Sequence, residues 1–166
     1  MRSKKPSAAK PPEPLDAYVF LVEESLGRGL AKTLAENGFS VMYQVPWKRG
    51  TVLQSAEIPA GLMDPVIFRI AGEMGYILLS KDLVYRYHPL ERADIVRNKL
   101  AVFQLANGNL PGPAMAQAFV AAKHLIGRQL KRKPRPFVTR INQDGEETVS
   151  HSREVLVKGL KENELP

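Results

Sequence analysis

The stretch YVFLVEESLGRGLAKTLAENGFSVMY, residues 18–43, decides the fold. Tyr18–Val22 is uniformly apolar, the pattern of a strand buried on both faces. Ser25 offers an N-cap, Leu26, Leu30 and Leu34 recur at helical spacing, and Asn37-Gly38 stops the helix. Phe39–Tyr43 follows as a second strand. A strand–helix–strand unit of this length predicts a parallel sheet with right-handed crossovers, an α/β fold. Gly27 and Gly29 fall inside the start of the helix, where they are expected to ease close packing rather than to cradle phosphate.

The pattern repeats toward the C-terminus. Residues 44–62 contain Pro46, Gly50, Pro59 and Gly61 and read as a long loop. Asp64-Pro65 then starts a helix whose apolar stripe is Ile67, Ile70, Ala71 and Met74, closed by Gly75. Tyr76–Leu79 is a third buried strand running into Ser80-Lys81-Asp82. Residues 83–99 hold Pro89 and a short helix, and Leu100–Leu105 is a fourth strand ending in Asn107-Gly108-Asn109. One helix is expected from about Pro113 to Leu130, with Met115, Phe119, Ala122 and Ile126 inward. Asp144-Gly145, between Phe137–Ile141 and Thr148–Val149, signals a hairpin. In domain terms this predicts a basic, disordered arm over residues 1–15, one folded domain over 16–150 and a charged tail over 151–166.

A chain of 166 residues with 44% apolar residues suits one core. The absence of cysteine excludes disulfides, thiolate metal sites and cysteine nucleophiles, and fits a reducing, cytoplasmic setting. No apolar run has the length of a membrane span, so no membrane partner is expected. The net charge of +7 is unevenly placed. Lys123 to Arg140 holds seven cations and no acid, whereas residues 15–122 net to zero. The part of this stripe formed by Arg128, Lys131, Arg132, Lys133 and Arg135 favours a polyanion such as nucleic acid, set against the plainer reading of cations at a helix C-terminus.

In a parallel sheet, residues just beyond the strands' C-terminal ends collect on one rim. Glu23 follows the first strand, Asp82 the third, and Asp64 opens the helix that precedes the third; Asn107 and Asn109 follow the fourth. Hard cations take oxygen ligands of this kind, and clustered carboxylates without a cation repel. A bound divalent ion can orient a water and stabilise a leaving oxygen. Taken singly, each acid has an ordinary explanation: Asp64 as a helix cap, Glu23 and its neighbour Glu24 as loop charges, Asp82 as a turn residue. The three histidines, His88, His124 and His151, show no ligand spacing, and no serine stands in a nucleophile-elbow context. Trp47-Lys48-Arg49 lies in a loop, where Trp47 either packs or stacks on RNA.

The segments VFLVEESLGRGLAKTLAENG, MDPVIFRIAGEMGYILLSKD, YRYHP, FQLANGNLPGPAMAQAFV and KPRPFVTRINQDG, in that order, resemble PIN-like nuclease domains, most closely the subgroup of VapC-type toxin PIN-like domains. The likeness covers roughly residues 18–146. It implies a three-layer α/β/α sandwich around a mainly parallel sheet and an acidic site that binds Mg²⁺ or Mn²⁺ and hydrolyses RNA. By position, Glu23, Asp64 and Asp82 match the first, second and third acids. Ser25 would support the first acid, Lys81 would hold phosphate, and Asn109 falls where later polar residues approach the site. The subgroup also implies an antitoxin protein as partner, and often a homodimer. One residue departs from the pattern: the first acid is normally aspartate and is Glu23 here, one methylene longer. That departure motivates a second expectation, a weakly active or inactive module that binds RNA or a protein. A phosphoacceptor receiver domain is a third reading, disfavoured because Asp64 opens a helix instead of ending a strand.

Overall fold

The computed structural model describes residues 15–45, 58–59, 64–81, 89–158 and 160. The first unit forms as its pattern requires. Strand β1 (Val19–Val22) is followed by a 3₁₀ turn (Glu24–Leu26), helix α1 (Arg28–Glu36) and strand β2 (Ser40–Val45). Strand β3 (Ile58–Pro59) falls within the stretch expected to be loop. Helix α2 (Asp64–Met74), strand β4 (Ile77–Ser80), helix α3 (Pro89–Arg97) and strand β5 (Ala101–Leu105) follow. Helices α4 (Gly112–Ala121) and α5 (Lys123–Arg132), strands β6 (Phe137–Ile141) and β7 (Glu147–Ser152) and helix α6 (Arg153–Val157) complete the chain.

The strands form one sheet in the order β3-β2-β1-β4-β5-β6-β7. All neighbours pair parallel except β6 and β7, which form the expected antiparallel hairpin. Alternation along the strands divides the core. Phe20, Val22, Ile77, Leu79, Phe103 and Ile141 point to a first face, where they pack with residues of α1, α4 and α5. Leu21, Leu78, Val102 and Val138 point to the second face, with residues of α2, α3 and α6. Both faces are dry because an interior parallel strand has no solvent side. Phe103 and Phe137 meet edge-on at 5.7 Å on the first face, and truncation of either fully buried ring would cost about 3–5 kcal/mol.

The connections do not all share one hand. From β1 the chain steps toward the β3 edge with α1 on the first face; it steps back to β4, and on to β5, with α2 and α3 on the second face. These three agree in hand. The β5-to-β6 connection also steps away from β1, yet α4 packs beside α1 on the first face. Its hand is therefore opposite to that of the other three, against the strong preference for right-handed crossovers. The consequence is local: no β5–β6 crossover helix covers the second face of β6.

Several local expectations need correction. The helix after β1 begins three residues later than Ser25. Gly27 takes φ +88°, ends the 3₁₀ turn and precedes α1, so its role is the left-handed backbone. A Cβ at Gly27 or Gly29 would meet nothing within 4 Å, so close packing is not why glycine stands there. Met74 is 60% exposed, and Phe68 takes the inward place assigned to it. The single helix expected over 113–130 is two, joined at Ala122, where the hairpin turn leans in: a Cβ on Gly145 would lie 2.5 Å from the Ala122 nitrogen. The folded domain also runs past residue 150. Ser150 to Ser152 complete β7, and Leu156 of α6, 1% exposed, packs into the second core, because its apolar side chain fills space beside Val138.

Candidate functional site at the ends of β1 and β4

The strand order reverses at β1, whose neighbours are β2 on one side and β4 on the other. The connections that leave β1 and β4 go to opposite faces, α1 to the first and α3 to the second, the arrangement at which open α/β sheets form a crevice beyond the strands' C-terminal ends. Glu23 leaves β1 at this point, half-buried, with an extended backbone. Its alternation with Val22 directs it to the second face. The β1–β4 register pairs Val22 with Leu79, which sets Glu23 beside Ser80. The Ser80 hydroxyl, 4% exposed, donates to Glu23 Oε2 at 3.1 Å. A hydrogen bond to a charged acceptor is worth about 1.5–3 kcal/mol and holds the carboxylate in one orientation.

Of the other expected acids, Asp64 is the first residue of α2, the helix that begins on the second face at this same rim. Asp82 lies outside the described residues, two positions beyond Ser80. Among the described residues no three acidic or imidazole side chains gather. Lys81 is half-buried, and its carbonyl lies 3.2 Å from where a Cβ on Gly108 would stand, so the loop after β5 packs on the exit of β4. Within that loop the Asn109 amide donates to Asn107 Oδ1 at 3.0 Å, and Asn109 is exposed. Ser25 is exposed in the 3₁₀ turn. The hydroxyl that holds Glu23 is that of Ser80, which the sequence reading missed. Its signal was available: Ser80 is the one polar residue of an otherwise apolar buried strand, on the parity of Leu78.

The basic stripe is not at this crevice. The chain from Lys133 to Pro136 enters β6 at its N-terminal end, and Arg135 donates to the carbonyl of Gly75 at 3.3 Å, just before β4 begins. That is the opposite end of the strands from Glu23. Lys133 bonds the hydroxyl of Ser150, lies 3.7 Å from Glu147 and sits over the Phe137 ring. Gln129, 5% exposed, accepts from the Thr139 hydroxyl and donates to Glu147, so α5 is fastened to β6 and β7 by a buried polar network. Burial lowers the pKa of the Arg135 guanidinium from its ordinary value, against an opposing electrostatic effect of Tyr18. Arg128, Lys131 and Arg132 are exposed on α5.

Of the expected acids, the described residues place one oriented carboxylate, Glu23, at this rim, and a hard divalent cation takes oxygen ligands of that kind; Asp64 opens α2 there. No helix among the described residues is long and apolar enough to cross a membrane. Comparison with protein-family models, with curated proteins and with solved structures finds no significant match to the chain.

Proposed function

We propose that the protein is a PIN-like, three-layer α/β/α domain acting as a Mg²⁺- or Mn²⁺-dependent endoribonuclease, the toxin of a cytoplasmic toxin–antitoxin pair. The observation that carries this reading is the Ser80–Glu23 hydrogen bond at the point where the strand order reverses. It joins the residue matching the family's first acid to the strand that leads to the third. Glu23, Asp64 and Asp82 would hold the ion, which when bound supplies an activated water and neutralises charge at the phosphodiester. Ser80 fixes the Glu23 carboxylate so that it meets the ion without rearrangement. Lys81, at the exit of β4, would offset charge on the phosphate oxygens, and Asn109 would orient the strand being cut. An antitoxin protein and a second copy of the chain are the partners that the family resemblance suggests.

Cleavage of a single-stranded RNA in Mn²⁺ tests the reading. Asp82→Asn and Glu23→Gln should each abolish metal-dependent cleavage with the fold unchanged; full activity in both would refute it. Glutamate in place of aspartate at position 23 favours one competing reading, a weakly active or inactive RNA-binding module. Calorimetry separates the two, since a module without a working site would bind RNA and take up no Mn²⁺.

A further inference from the structure

The register that places Ser80 beside Glu23 continues across the sheet. Ser80 of β4 pairs with Gln104 of β5, and Gln104 pairs with Arg140 of β6. All four alternate onto the second face, since their neighbours Leu79, Phe103, Thr139 and Ile141 serve the first face. Glu23, Ser80, Gln104 and Arg140 therefore form one transverse polar row at the C-terminal ends of four adjacent strands, where apolar residues fill the rows beneath. Ser80 and Gln104 are 4% and 3% exposed, and Arg140 is half-buried. Three strand spacings separate the Cα atoms of Glu23 and Arg140, roughly 14 Å.

Arg140 turns back toward the crevice. Its Nη2 donates to the carbonyl of Ala106, beyond the end of β5, at 3.4 Å. Among the described residues that is the guanidinium's one hydrogen bond, and its Nε is buried with no partner there. No carboxylate among the described residues forms an ion pair with it, as Asp94 does with Arg97 and Glu147 with Lys133. A guanidinium has five N–H donors in a planar fork, and a buried donor without an acceptor is unfavourable.

We propose that Arg140 is a substrate-binding residue of the candidate site, holding the RNA phosphate next to the one being cut. It rests on the endoribonuclease reading above for the identity of the polyanion. The planar fork matches two phosphate oxygens, and its place along the row sets it too far for an ion at Glu23 and near enough for the neighbouring phosphate. A strand passing over the rim, above the buried Ser80 and Gln104, would have its scissile group at the Glu23 end and its next charge at the Arg140 end.

The test is binding of a short single-stranded RNA without divalent ions, across a range of salt concentrations, with Arg140→Met and Arg140→Lys beside the unaltered protein. Arg140→Met should weaken binding about tenfold at low salt and reduce the slope of log affinity against log salt by about 0.7, the loss of one phosphate contact on a single strand. Arg140→Lys should keep the slope, because the charge remains, and lose part of the affinity with the fork. In cleavage, Arg140→Met should raise KM with kcat nearly unchanged. An unchanged slope in Arg140→Met with native thermal unfolding would overturn the proposal, and so would a loss in Arg140→Lys as great as in Arg140→Met. Glu23→Gln in the same series separates the two ideas. If the unaltered protein cleaves no RNA in Mn²⁺ the nuclease reading fails, and if Glu23→Gln cleaves normally Glu23 is not its metal ligand, while a slope change confined to Arg140→Met still places a phosphate at Arg140.

Discussion

At the N-terminal end of β6, Lys133 and Arg135 are tied to Ser150, Glu147, Phe137 and Gly75; at its other end Arg140 holds a single carbonyl among the described residues. In the sequence these three belong to one run of seven cations without an acid. The fold separates them by the length of a strand and gives them different work. Lys133 and Arg135 serve to dock α5 and the start of β6 on the sheet, and the charge that shares the row of Glu23 is the last of the run. Density of charge along a chain marks a surface; which charges reach a site is decided by strand direction and register.

That contrast can be broken from either end. The largest effect is expected at the acidic end: Glu23→Gln should lower metal-dependent cleavage at least about a hundredfold, close to 3 kcal/mol, with no loss of thermal stability. Matched loss of stability and activity would mean that Glu23 is structural. Gly145→Ala acts on the turn between β6 and β7, on the Arg140 side of the contrast. Its φ of +77° and the backbone of Ala121 and Ala122 leave no room for a Cβ, so unfolding free energy should fall by about 2–3 kcal/mol in denaturant titrations. Residual activity per folded molecule should be unchanged. Ser80→Ala sharpens the comparison, because it removes only the hydroxyl that orients Glu23; a roughly tenfold weaker Mn²⁺ affinity by calorimetry is expected. Smallest should be the double variant Arg128→Ala and Arg132→Ala. These exposed side chains lie away from the crevice, so cleavage rates should stay within about threefold at physiological salt, where distant surface charges are screened. A larger fall would return the stripe to the site.

Much of the frame was open to reading. The apolar run Tyr18–Val22 and the Leu30, Leu34 spacing could only be a buried strand and an amphipathic helix, and β1, α1 and β2 formed accordingly. Met115, Phe119, Ala122 and Ile126 face inward as their spacing requires. The start of α1 was misplaced because Ser25, a good cap in isolation, lies inside a 3₁₀ turn that Gly27 ends with a left-handed backbone. Leu156 was set aside as tail because one apolar residue among charges has no period, and only its neighbour across the sheet shows that it is core.

The place of Glu23 was legible as far as it depends on strand ends. Glu23 follows a strand, and a parallel sheet sends every such residue to one rim. Ser80, Gln104 and Arg140 were not legible as a group, since they stand on three strands as far as 60 positions apart in the chain. Nothing local relates them. The sequence by itself determined most of the elements, their parallel sense and the candidate acids, because period and turn chemistry are properties of short segments. Only the tertiary structure decided the strand order, the hand of the β5–β6 connection and the register that sets Arg140 in line with Glu23. Those depend on which strands share hydrogen bonds and which face each connection covers, and both are settled between segments rather than within them.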